Sequence, residues 1–153
     1  MDLSSIISIE TTALLRLGTI EDLKRVVQLE TLGLQISPSQ WLFSLTPGID
    51  IIYRAEQLGR RAAAYYSLGD LDNGIADSTD ALNLVPRTAA LVSSLSAGIV
   101  IAYLRKGDTE KAMKFASSWY ERNHDPRSAR TLQVLKSNQS NPQEALAEIM
   151  RAQ

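Results

Sequence analysis

The sequence predicts an all-α fold built from helical hairpins, on three observations. One turn grammar recurs four times, the segments after the turns carry apolar residues at spacings of three and four, and the most apolar run is too short for a membrane span. The turns are LGTIEDL at Leu17–Leu23, LGDLDNG at Leu68–Gly74, KGDTEKA at Lys106–Ala112 and QSNPQEA at Gln139–Ala145. Each has a small helix-ending residue (Gly18, Gly69, Gly107, Ser140), then an N-cap type (Thr19, Asp70, Asp108, Asn141), then a small or apolar residue four places after the cap (Leu23, Gly74, Ala112, Ala145). Glycine enters a left-handed helix end cheaply, and a short oxygen-bearing side chain takes up an unpaired amide of the next helix.

In chain order, LSSIISIETTALLRL forms the first helix, ahead of the turn at Gly18. An inserted segment follows, LQISPSQWLFSLTPG at Leu34–Gly48, in which Ser37 and Pro38 start a short helix and Pro47 and Gly48 end it. After Asp70, Leu71, Ile75, Ala81 and Leu82 make an apolar stripe while Asp72, Asp77 and Asp80 fall away from it, and Pro86 marks the stop. LSAGIVIAYL, Leu95–Leu104, is apolar on most sides and reads as a buried helix; at ten residues it is too short to cross a bilayer. In TEKAMKFASSWYER, Ala112, Phe115, Ala116 and Trp119 form a stripe flanked by Lys111, Lys114 and Glu121. The last helix opens with Pro142 and with Glu144 three places after Asn141, the pattern of a capping box. At 153 residues the chain suits one domain, residues 1–153.

The turns lie 51 residues apart from Gly18 to Gly69, 38 from Gly69 to Gly107 and 33 from Gly107 to Ser140. The later two lie near a period of roughly 34 residues, and the insertion accounts for the first. Residues 55–86, AEQLGRRAAAYYSLGDLDNGIADSTDALNLVP, resemble a tetratricopeptide repeat, with Ala62 and Gly74 at the small helix-crossing places, Tyr65 at the aromatic place, then Ala81 and Pro86. Residues 93–126 resemble a second copy through Tyr103, Gly107, Asp108 and Ala112, but have bulky Val100 and Trp119 where small residues are usual. This resemblance implies a right-handed superhelix of about three to four repeats with a degenerate N-terminal part.

Motifs for chemistry are missing. Read as a calcium loop from Asp70, the chain gives Asp70 and Asp72, then Gly74 one place early and Ala81 where a bidentate glutamate belongs. A phosphate loop would need lysine and a hydroxyl residue where Ile75 and Ala76 stand. There is no G-x-S-x-G, H-E-x-x-H or G-x-G-x-x-G. The absence of cysteine excludes disulfides, thiolate metal sites and cysteine nucleophiles. The single histidine, His124, sits between helices in ERNHDPRS and reads as a solvated or capping residue. Trp41, Phe43, Phe115 and Trp119 have the spacing of core packing, with Trp41 the least placed, and Arg122, Arg127 and Arg130 read as a solvated face. A net charge of -1 from 16 basic and 17 acidic residues argues against a nucleic-acid surface. The start MDLSSIISIE lacks a basic n-region, so the expectation is a cytoplasmic protein without a secretion signal. No catalysis, cofactor or metal is expected.

The resemblance implies a concave face lined by first helices of successive repeats. Carried over by position, that face takes Glu56, Gly59, Ala63, Tyr66 and Ser67 from one repeat and Ser94, Ala97, Ile101, Leu104 and Arg105 from the next. It is mostly small and apolar and suits a partner's helix or extended peptide, with Tyr66 and Ile101 as anchors. The competing occupant is the chain's own first helix. A carboxylate clamp of the kind that chaperone-binding repeats use is not expected, because these stretches lack asparagine and offer Arg60 and Arg61 only at the edge. The expected role is therefore a protein-interaction adaptor, of which small bacterial chaperones for secretion-system subunits are one architectural parallel. A structural subunit that self-associates through its convex face or terminal helices is the alternative, and a small enzyme on a helical scaffold a more distant one.

Overall fold

Glycine at three of the four turns sets the helix boundaries. The computed structural model describes residues 3–35, 49–86 and 90–151, with side chains from 6–35, 50–86 and 91–151. Its helices are α1 (Leu3–Leu17), α2 (Ile20–Gln35), α3 (Ile49–Leu68), α4 (Leu71–Leu84), α5 (Ala90–Arg105), α6 (Thr109–Asn123), α7 (Pro126–Ser137) and α8 (Pro142–Arg151), and no strand occurs among the described residues. The all-α expectation holds, and each of the four turns joins two helices. The short helix expected around Ser37–Gly48, with Trp41 and Phe43, lies outside the described residues.

The two central turns are built alike. At Gly69 (φ 83°) the amide of Asp70 donates to the carbonyl of Tyr65 and that of Gly69 to Tyr66; at Gly107 (φ 75°) Asp108 donates to Tyr103 and Gly107 to Leu104. These paired bonds satisfy the last carbonyls of one helix, and the aspartate that completes them caps the next. Asp70 accepts from the amide of Asn73 at 3.4 Å and Asp108 from that of Lys111 at 3.0 Å. Gly18 (φ 72°) makes a simpler turn through Leu14, and Thr19 caps α2 by accepting from Asp22 at 3.1 Å. At the fourth turn Asn141 accepts from the Glu144 amide at 3.3 Å, but the capping box is only half made. The Glu144 carboxylate turns to Arg151 at 3.2 Å, and the Asn141 amide donates to Asn138.

Asp108 also carries an acid-sensitive contact. The Lys111 ammonium, 2.8 Å away, and the Lys111 amide hold its carboxyl below the usual carboxylate range. A carboxyl lowered on folding contributes stability above its unfolded value and loses that contribution as pH falls through the lowered one. In a carbon-detected titration Asp108 is therefore expected to protonate at lower pH than an unpaired aspartate, and Lys111→Ala should move its midpoint upward.

The helices group into two compact units, Met1–Val85 and Pro86–Gln153. In the first, α2 packs on α1 and α3, and α3 pairs with α4. Its core includes Ile7, Leu23, Val26, Leu58, Ala62, Ala64 and Ala81, with Leu14, Leu15, Val27 and Leu68 half-buried against it. In the second, α5 packs against α6, α7 and α8 around Val100, Leu104, Ala112, Ala116, Leu132, Leu135, Ala145 and Ile149. Full burial of each larger aliphatic contributes about 1.5–3 kcal/mol. The α6 stripe falls as its spacing predicts, with Trp119 only 1% exposed.

Helix α4 departs from the sequence reading. Its most buried face is Gly74, Asp77, Ser78 and Ala81, while Leu71, Ile75 and Leu82 are only half-buried. The cause is a close crossing with α3. The Tyr66 ring lies flat over Gly74, so that a Cβ there would stand 2.5 Å from two ring carbons, and the Tyr66 hydroxyl meets Ser78 Oγ at 2.9 Å.

Candidate binding surface

Charged side chains are costly inside a small helical unit unless paired, and α3 brings two adjacent arginines to two carboxylates. Glu30 on α2 is fully buried; it accepts from Thr11 Oγ1 of α1 at 2.7 Å and from Arg60 Nε of α3. Arg61 grips Asp77 of α4 through two bonds of 2.7 and 2.8 Å and donates to Thr31 of α2 at 3.1 Å. Hydrogen bonding to Asp77 pushes the Arg61 guanidinium further up from its ordinary value. The four described helices of the unit are thereby tied through polar side chains. Glu30 Oε2, Arg60 Nη2 and Gln57 Nε2 are buried and find no hydrogen-bond partner among the described residues. Asp77, which the sequence sets apart from the apolar stripe of α4, is buried as the partner of Arg61. Arg60 and Arg61 are turned to carboxylates of their own unit.

An open groove of about 600 Å³ runs between α2 and the last turn of α3. Ile20, Val27, Tyr65 and Leu68 give it an apolar floor, and Lys24, Gln28, Ser67 and Asp70 a polar rim. Ile20 is 63% exposed. Such a lining, apolar with few polar groups at the edge, suits an aliphatic or aromatic side chain on a peptide.

The residues expected on a concave face divide between the units. On α3, Glu56, Ala63 and Ser67 are exposed, Gly59 is half-buried, and Ser67 reaches the groove just described. Tyr66 is half-buried against Gly74 and Ser78. On α5, Ser94 and Arg105 are exposed, Ile101 is half-buried against the second unit's core, and Ala97 and Leu104 are buried, Leu104 within that core. The first helix packs on α2 and α3, meeting α2 through Ile7 and Thr11.

In the second unit, His124 ends α6 in the left-handed conformation (φ 49°), its ring edge-on to Tyr120. Asp125 then caps α7 by accepting from Arg127 and Ser128 at 2.9 and 3.0 Å. The Asp-Pro pair at an N-cap and first helical position was the available signal for that helix start. A smaller opening of about 440 Å³ lies between Tyr120 of α6 and Ala129, Leu132 and Gln133 of α7. Among the described residues no group of three His, Cys, Asp or Glu side chains is placed to hold a metal ion, and no helix is long and apolar enough to cross a membrane.

No protein-family model matches the chain, and no curated protein matches it.

Proposed function

We propose that this chain is a non-catalytic protein-interaction module of tetratricopeptide-like helical hairpins that holds a helical or extended peptide of a partner protein. The observation that carries this reading is the open groove between α2 and α3, whose apolar floor is accessible from solvent and whose rim can hydrogen-bond a peptide backbone. Two further features support it. The turns at Gly69 and Gly107 share the same two closing bonds and the same aspartate cap, as repeats require, and the exposed residues Glu56, Ala63 and Ser67 lead along α3 to the groove.

Selection of displayed amphipathic peptides on the wild-type protein, with the binders re-measured on variants, tests it. Ile20→Glu is the first variant: the side chain is exposed, and a carboxylate in the first turn of a helix is favourable, so folding should be kept. Selected peptides are expected to lose at least about tenfold in affinity to Ile20→Glu and to Tyr65→Ala, with helical content unchanged. Binders indifferent to both substitutions would rule out the groove.

A further inference from the structure

Helix α1 is apolar on two faces, and only one of them is used. Ile7 and Thr11 are buried toward α2, while Ile6, Ile9 and Leu17 are 45%, 62% and 68% exposed and Ala13 is exposed with them. At 3.6 residues per turn these four lie within about 80° of the helix circumference, so they form one stripe. A helix that only closes the end of a stack would carry a polar outer face.

We propose that this stripe pairs with the same stripe of a second copy, α1 against α1 in antiparallel orientation. The order large, large, small, large is the argument for a second copy. Setting Ile9 over the partner copy's Ala13 brings Ile6 opposite Leu17 to within one residue, a rise of about 1.5 Å, and the two-fold axis repeats both contacts. Large then meets small at the centre, as close helix packing requires, whereas a parallel pair would set Ala13 against Ala13 and leave a gap. Charge is compatible with self-pairing. No ionisable side chain lies within the stripe; Glu10, held by Arg25 at 3.5 Å, and the exposed Arg16 stand at its two edges. One helix stripe lies at the low end of specific interface sizes, so the dimer is weak.

Sedimentation equilibrium of the whole chain between about 5 and 500 μM tests this. The mass is expected to rise from 16.8 kDa toward twice that value, and Ile9→Lys or Ala13→Glu, both at exposed positions, should hold it at the monomer. The chain has no cysteine, so the register can be read by cross-linking. Mixed Ile9→Cys and Ala13→Cys proteins should form the mixed disulfide in preference to either symmetric one. A monomer throughout the range overturns the proposal, as it would if another segment or partner normally covers α1. A dimer indifferent to both charge substitutions, or symmetric disulfides in preference, overturns it as well.

Discussion

Replacing Glu30 by alanine is expected to destabilise the first unit by about 3–5 kcal/mol, read as loss of amide-exchange protection across α1, α2 and α3. Glu30 is fully buried, and the Arg60 side chain beside it is only 16% exposed. Removing the carboxylate leaves a mostly buried guanidinium with only the half-exposed Glu56, 3.9 Å away, as counter-charge, and releases the bond from Thr11 that ties α1 to α2. The exposed pair of Lys24 and Glu21, with side chains 57% and 82% accessible, gives the contrast: Glu21→Ala should cost less than about 1 kcal/mol. A double substitution separates the ion pair from mere volume. Because Glu30 Oε2 and Arg60 Nη2 have no partner among the described residues, desolvation is incompletely offset in the native pair. Glu30→Leu with Arg60→Met should therefore recover most of the stability that Glu30→Ala loses. If the double variant is weaker than the single one, the uncompensated charge is not the cause.

What could be read from the sequence follows the range of the interactions. Helix ends were legible because an orphaned amide is satisfied by a neighbour three residues away, and a left-handed end calls for glycine. Gly18, Gly69 and Gly107 with Thr19, Asp70 and Asp108 are each such a local choice. The ties from Glu30 to Arg60 and from Arg61 to Asp77 join residues 30 and 16 positions apart on different helices, and no spacing announces them. The buried face of α4 was misread for a related reason. Apolar periodicity weights leucine and isoleucine, whereas burial there is set by how closely α3 approaches, and close approach selects glycine, serine and alanine. Of the eight residues that line the groove, only Ser67 belongs to the binding face read from the sequence; Ile20 and Val27 enter through α2, whose pairing with the end of α3 is tertiary.

That close approach makes Gly74→Ala the second large effect, with a loss of about 1–3 kcal/mol. On propensity alone alanine should gain about 1 kcal/mol in a helix interior, so the sign of the measured change decides between local and tertiary control. The added Cβ would lie 2.5 Å from Cδ1 and Cε1 of Tyr66, ring atoms that cannot bend away. Nor can the ring swing freely, because its hydroxyl is bonded at 2.9 Å to the fully buried Ser78. Gly33 is the internal comparison. A Cβ there would meet the amide nitrogen of Gln57, the far end of a flexible side chain, and that nitrogen has no hydrogen-bond partner among the described residues, so Gly33→Ala should be nearly neutral or stabilising. Urea unfolding is expected to give a lowered midpoint for Gly74→Ala and an unchanged or raised one for Gly33→Ala. With Tyr66→Ala added, the cost of Gly74→Ala should vanish, because the atom it collides with is gone and the new methyl fills part of the space left by the ring. A Gly74→Ala protein more stable than wild type would mean that α3 and α4 can separate at no cost, and that the crossing, and with it the placement of Tyr65 and Ser67 at the groove, is not fixed by this glycine.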